Sequence, residues 1–279
     1  MKTIIVATNY SNEANNAVNY AAELASHLNS KLVLFNSFEL SVHASNALLP
    51  GSSIGRLITE NNSLLRNIAL DLSGNYGITV DHISRTSDLM EELDFQVKRL
   101  NADLVVMGMK DVHSGFVPFS STSTAIHHAN YPILTVPEGA SFNNISKILF
   151  AFNPDCIEEV NKLPVLMEFA KHFNAEIQVC HVQKSRQPAI NEVSEKGFSF
   201  NAEAILGDAE HSYKEINDEN VLRGIEKLIK SWGADLLVMV PHKYGFWESI
   251  WHKSKTIQME KRTRIPLLTL PNPESSNLT

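Results

Sequence analysis

The chain opens on a short, unbroken apolar run, Ile4 to Thr8, the pattern of a strand buried on both faces. Ser11 stands where a helix needs a cap, and Ala14, Val18, Ala21, Ala25 and Leu28 then recur at helical spacing. Lys31–Phe35 gives a second strand. Residues 41–58, with Pro50, Gly51 and Gly55, read as a loop, and Leu57–Ser73 reads as a helix with apolar Leu64, Leu65, Ile68 and Leu72. Thr79–Ser84 alternates as a third strand, and Leu89–Leu100 is helical in pattern. Leu104–Met107 is a fourth buried strand, a helix is expected near Ser121–Ala129, and Ile133–Val136 is a fifth strand. Strands alternating with helices predict a parallel, doubly wound α/β sheet.

The pattern then repeats. Lys2–Asn9 matches Ser146–Asn153 at an offset of 144, Ala102–Met107 matches Ala234–Met239 at 132, and Tyr131–Pro137 matches Ile265–Pro271 at 134. Three matches in one order indicate duplication of a whole domain, the second copy having the shorter middle. Strands are expected in it at 148–152, 176–182, 211–216, 236–240 and 267–270. The polar stretch Glu138 to Asn144 marks the boundary, so the domains are read as 1–140 and 145–273. The fold expected is two tandem, doubly wound, five-stranded parallel-sheet domains.

Composition narrows the function. Of 279 residues, 43% are apolar and 20% charged, which suits a packed core rather than a disordered chain. The net charge of -7 argues against a nucleic-acid partner, which calls for a basic face. Cys156 and Cys180 form neither a C-x-x-C pair nor a metal-ligand spacing, and Cys180 in its apolar run reads as a core residue. No run approaches the ~20 apolar residues of a membrane span, and the amino terminus lacks a signal-peptide pattern. A cytoplasmic protein with no membrane partner is expected.

In open α/β sheets ligands bind outside the carboxyl ends of the strands, where the strand order reverses, and helix amino termini there favour phosphates. In copy one that rim holds Ala7, Thr8, Asn9, Asn36, Ser37, Met107 and Gly108, with Lys110 in the loop that follows. The Lys2–Phe38 segment, the Asp103–Gly108 strand and the loop, helix and strand after it resemble the universal stress protein family, as does Ile148 to Leu270. The resemblance implies an adenine nucleotide hydrolase-like, Rossmann-like fold and, in many members, a site for ATP or AMP, with Mg²⁺ accompanying it. Members that bind carry an Asp at the end of the first strand and a loop G-2x-G-9x-G-[S/T] after the fourth. Here Asn9 takes the Asp position, Gly108 the first glycine, Asp111 the second, and Ser121 with Thr122 the last two; counting back from Pro132 puts Ser120 in the serine place instead. Copy two keeps the spacing as Val240, Lys243, Lys253 and Ser254, again with Asn153 for the Asp, so its site is expected to be degenerate. The resemblance also implies pairing through the fifth strands. Ile133–Val136 and Leu267–Leu270 would then run antiparallel inside one chain, an intramolecular pseudo-dimer open to further homodimerisation.

Other clusters read as structural. Phe246, Trp247, Ile250 and Trp251 share a helical face expected to pack on its own domain. His242, Lys243, His252, Lys253, Lys255, Lys261, Arg262 and Arg264 read as a solvated basic face, and no third ligand makes His242 and His252 a zinc site. Asp88, Glu91, Glu92 and Asp94, like Asp218 and Glu219, fit a helix-dipole role at helix starts. G-x-S-x-G, Walker, G-x-G-x-x-G and H-E-x-x-H motifs are missing, so catalysis is not expected beyond at most a weak ATPase. Two readings stand: a stress-response protein binding ATP or AMP in its first domain, and a regulatory protein-interaction module with no nucleotide site.

Overall fold

A computed structural model of the chain describes residues 1–38, 51–110, 121–151, 163–183, 206–207, 209–240 and 265–271. The chain divides into two compact units: among the described residues the first holds 1–110, 121–125 and 133–142, and the second takes in Ile126–Pro132 and the chain from Asn143 on, so that the helix over Ser121–His128 contributes to both.

In unit one, β1 (Thr3–Ala7) is buried from Ile4 to Ala7, as a strand with neighbours on both sides and helices on both faces must be. α1 (Asn12–Leu28) starts at Ser11, whose hydroxyl accepts from the Ala14 amide at 3.3 Å, and ends at Asn29, in the left-handed region at φ 51°. Its buried face is mostly alanine, with Ala17, Ala21, Ala22 and Ala25 fully covered, so the helix lies close to the sheet. β2 (Lys31–Ser37), α2 (Gly51–Tyr76), β3 (Val80–Arg85), α3 (Leu89–Leu100), β4 (Leu104–Met109), α4 (Ser121–His128) and β5 (Ile133–Pro137) follow. The strands are all parallel, in the order β3-β2-β1-β4-β5.

The second helix differs from the sequence reading. It begins at Gly51, not Leu57, and runs through Gly55, whose carbonyl accepts from the Thr59 hydroxyl at 2.9 Å. Two glycines and a proline signal a loop locally, but 26 residues of helix outweigh a penalty of about 1 kcal/mol per glycine. Its inward stripe is Leu65, Ala69 and Leu72, while Leu64 lies about 100° off that stripe and is 48% exposed.

Unit two repeats the plan with β6 (Lys147–Ala151), α5 (Pro164–Phe173), β7 (Glu176–Gln183), β8 (His211–Asn217), α6 (Val221–Trp232), β9 (Leu236–Met239) and β10 (Leu267–Thr269). All are parallel again, in the order β8-β7-β6-β9-β10. Cys180 is buried in its core beside Leu149, Leu228 and Leu237, as the sequence suggested. Burial pushes its thiol up to about 12, so it is inert. Gly224 lets α6 approach β7 and β8: a β-carbon there would lie 2.8 Å from Val182 Cγ1.

The two units share a side-chain device as well as an order. Asp103 Oδ2 accepts from the Lys2 and Thr3 amides at 2.6 and 3.0 Å. Asp235 Oδ2 accepts from the Ser146 and Lys147 amides, both at 2.9 Å. The Asp of each A-D-L repeat thus clips the start of the first strand to the fourth.

A candidate ligand rim at the carboxyl ends of the strands

The strand order of unit one reverses between β1 and β4, which lie side by side with Ala7 opposite Met107. Ligands of such sheets bind outside this point. Ala7 and Met107 are buried and line the floor. Thr8 is buried too: its amide donates to Phe35 O at 2.8 Å and its carbonyl accepts from Asn36 Nδ2 at 2.7 Å. Asn9 is exposed at the mouth, and its Oδ1 accepts from the Ser11 amide at 3.1 Å, leaving the side-chain NH₂ as the donor end. Tyr10 is held at φ 65°, a conformation costly for a residue with a side chain. Its amide bonds Thr8 Oγ1 at 3.1 Å and its carbonyl accepts from Asn15 Nδ2 at 3.1 Å, which stabilises the turn.

A polar network behind the rim was not foreseen beyond Asn36. Asn61 of α2 donates through Nδ2 to Asn36 Oδ1 at 2.8 Å and to Ser84 Oγ at 2.7 Å. Its Oδ1 accepts from the Tyr10 hydroxyl at 2.9 Å. Desolvation raises the Tyr10 phenol above its ordinary pKa, so it remains a donor. Asn36 could be found in sequence as a polar residue ending an apolar strand. Asn61 could not, because a polar residue on a half-exposed helix carries no periodic signal.

The fourth-strand side of the rim is tight. A β-carbon on Gly108 would lie 2.3 Å from Glu13 O and 2.8 Å from Ala14 N, so the first turn of α1 rests against this residue. The Thr122 hydroxyl donates to Gly108 O at 2.9 Å and is buried. Lys110 is exposed beyond it. Ser37, at the end of β2, points its hydroxyl to Ser87 O at 2.5 Å. Ser121 opens α4, and Ser120 lies outside the described residues. In unit two Val240, just past β9, is half-buried. Asn153, Lys243, Lys253 and Ser254 lie outside the described residues, as do the aromatic and basic clusters between Pro241 and Arg264.

The acidic clusters divide. Asp88 caps α3 through the Met90 and Glu91 amides at 2.9 and 3.0 Å, a helix-start role as expected. Asp218 does something else, because Asn220 is the residue that caps α6. The Asp218 carboxylate is buried under Arg223 and Lys227, each 2.8 Å away. Hydrogen bonds from Arg223, from Lys227 and from the Asn220 amide hold its carboxyl well below the usual carboxylate range. With a folded-state pKa below the unfolded value of about 3.9, its contribution is complete above that pH and fades as pH falls further. Asp218→Asn is expected to lower the melting temperature by a few degrees at neutral pH. Its deficit should shrink on acidification below about pH 4, a trend that thermal melts at stepped pH would read. An equal deficit at every pH would show that the ion pairs do not carry it.

Among the described residues no helix is long and apolar enough to cross a membrane, and no group of three His, Cys, Asp or Glu could hold a metal. The model of the universal stress protein family matches residues 1–137. Among solved structures, the chain is similar to a universal stress protein from Archaeoglobus fulgidus DSM 4304, with a TM-score of 0.73 at 12% identity over 96% of this chain and 98% of that one. It is also similar to a functionally unknown protein from Pseudomonas aeruginosa PAO1, with a TM-score of 0.56 at 13% identity over 99% of this chain and 94% of that one. At such identities the likeness concerns the fold, and it extends over both halves of the chain. No curated protein matches it.

Proposed function

Because the universal stress protein family model matches residues 1–137, we propose that the chain is a cytoplasmic stress-response protein that binds an adenine nucleotide in unit one. The ligand is ATP or AMP, with Mg²⁺ accompanying it, and unit two is a diverged partner without that site; the domains are 1–140 and 145–273. The observation that carries the reading is the convergence on one strand-order reversal of Ala7, Thr8, Asn9, Met107, Gly108 and Thr122. Asn9 offers NH₂ donors and Lys110 a cation at the mouth, while Ser37, Ser120 and Ser121 complete the proposed lining. In unit two the equivalent lining would be Asn153, Val240, Lys243, Lys253 and Ser254.

Calorimetric titration with ATP and AMP, Mg²⁺ present, tests the reading. Saturable binding near one site per chain is expected, weakened in Lys110→Glu. Asn9→Asp keeps the acceptor for the Ser11 amide and restores the acid that binding relatives carry, so it should tighten binding by about tenfold, the worth of one charged hydrogen bond. No heat from the folded wild type and from Asn9→Asp at millimolar nucleotide would overturn it.

The second reading, a protein-interaction module with no nucleotide site, has an observation of its own. Gly108 and Thr122 both have structural employment without a ligand, one under α1 and the other on the Gly108 carbonyl. The first reading also carries the family's proposed antiparallel pairing of β5 with β10 in one chain, which would remove two aggregation-prone edges. Hydrogen exchange in the monomeric chain should then be slow along both strands, and fast edge amides would refute the pairing.

A further inference from the structure

A groove of about 340 Å³ runs between α2 and β3, outside the rim just described. β3 is the outermost strand of its unit. Ser84 Oγ meets Asn61 of α2, so by strand alternation His82 and Ser84 both present their side chains to that helix. Thr59, Asn62 and Ser63 of α2 form the facing wall. The Thr79 and Arg85 carbonyls turn inward to accept from Leu32 and Phe38, at 3.0 and 3.1 Å. The same alternation turns the His82 and Ser84 amides toward the open edge. Arg85 alternates to the opposite face, where its Nε lies 3.2 Å from Glu92 of α3, and it reaches the strand edge beside the groove through Nη1, which donates to Ser84 O at 3.0 Å. These bonds use two of the five guanidinium N–H donors.

Among the described residues the lining holds one Arg, one His, hydroxyls and an amide, and no carboxylate, in a chain whose net charge is -7. Of the nearby acids, Asp81 pairs with Lys31 and Glu60 with Arg56, while Glu92 engages the Nε of Arg85. We propose that this groove is a binding site for a small oxyanion, a metabolite bearing a carboxylate or a phosphate. The planar Arg85 fork takes one oxyanion face, the outward His82 and Ser84 amides offer further donors, and the wall hydroxyls bound the size. The volume falls in the range of small-molecule sites. The site lies to the side of the rim and joins it through the Asn61–Ser84 contact and the pairing of Asn36 and Ser37 with Ser84 and Arg85.

The test uses the full chain and follows backbone amides by NMR during titration with inorganic phosphate and, separately, with citrate, at constant ionic strength. Saturable shifts are expected at residues 58–63 and 82–85, with the stronger of the two probes identifying phosphate or carboxylate as the ligand group. Arg85→Gln should weaken binding by about tenfold. Ser63→Trp, at an exposed helix position that touches no ladder, should abolish it by filling the groove. Shifts absent with both probes, reproduced by sodium chloride, or unchanged in both variants would overturn the proposal. ATP binding measured alongside should be unaffected by either variant.

Discussion

Gly108→Ala is expected to destabilise the protein by about 3 kcal/mol or more, the upper end of what overpacking a core costs. The added methyl would sit 2.3 Å from Glu13 O and 2.5 Å from Glu13 C. Those are backbone atoms in the first turn of α1, and no rotamer change moves them aside. The helix must shift bodily, and the shift acts on its other anchors. Asn16 Nδ2 donates to the Pro137 and Ala140 carbonyls at 3.0 Å each, tying α1 to the chain beyond β5. Domains of this size have about 5–15 kcal/mol in hand, so the loss is a large fraction of the total. Urea denaturation followed by circular dichroism measures it, and a midpoint equal to wild type would refute the packing argument. The result bears on function as well. Loss of nucleotide binding in a Gly108 variant would report on the seat of α1, which is why Lys110→Glu and Asn9→Asp are the better probes of the rim.

Asn36→Ala is expected to cost about 2–3 kcal/mol. Asn36 is 2% exposed and bridges the buried Thr8 carbonyl to Asn61. Alanine leaves that carbonyl without its side-chain donor, at about 1–3 kcal/mol for a buried orphan, and removes one of the two acceptors of the Asn61 amide. Asn36→Asp should be no better, since a carboxylate would face the Thr8 carbonyl with no proton to share. Asn61→Ala breaks three bonds but in a half-exposed setting where water replaces them, so its loss should be the smaller. Chemical denaturation of the three variants gives the order, and an Asn61→Ala loss exceeding that of Asn36→Ala would sink this account.

The strands were legible because a strand covered on both faces has nothing but apolar residues to offer, as in Ile4–Ala7 and Leu104–Met107. The start of α2 was not, since Gly51 and Gly55 are breakers locally and are overruled by the stripe that follows them. At the rim, position along a strand was enough to name Thr8, Asn36 and Gly108. Partners were not readable: Tyr10 reaches Asn61 across 51 residues, a pairing only the folded sheet creates. Asp218 shows the same limit. An acid before a helix is consistent with a dipole role or an ion pair, and only the places of Arg223 and Lys227 decide between them.

The aspartate clips have a temporal consequence. Asp103 closes on Lys2 across 101 residues, and Asp235 on Ser146 across 89. Loop closure over such spans is entropically unfavourable until many contacts form together. On a ribosome adding roughly 5–20 residues per second, β1 therefore waits several seconds for the strand that completes its second side. Throughout that interval the apolar Ile4–Ala7 segment presents an open edge, the form a holding chaperone would meet.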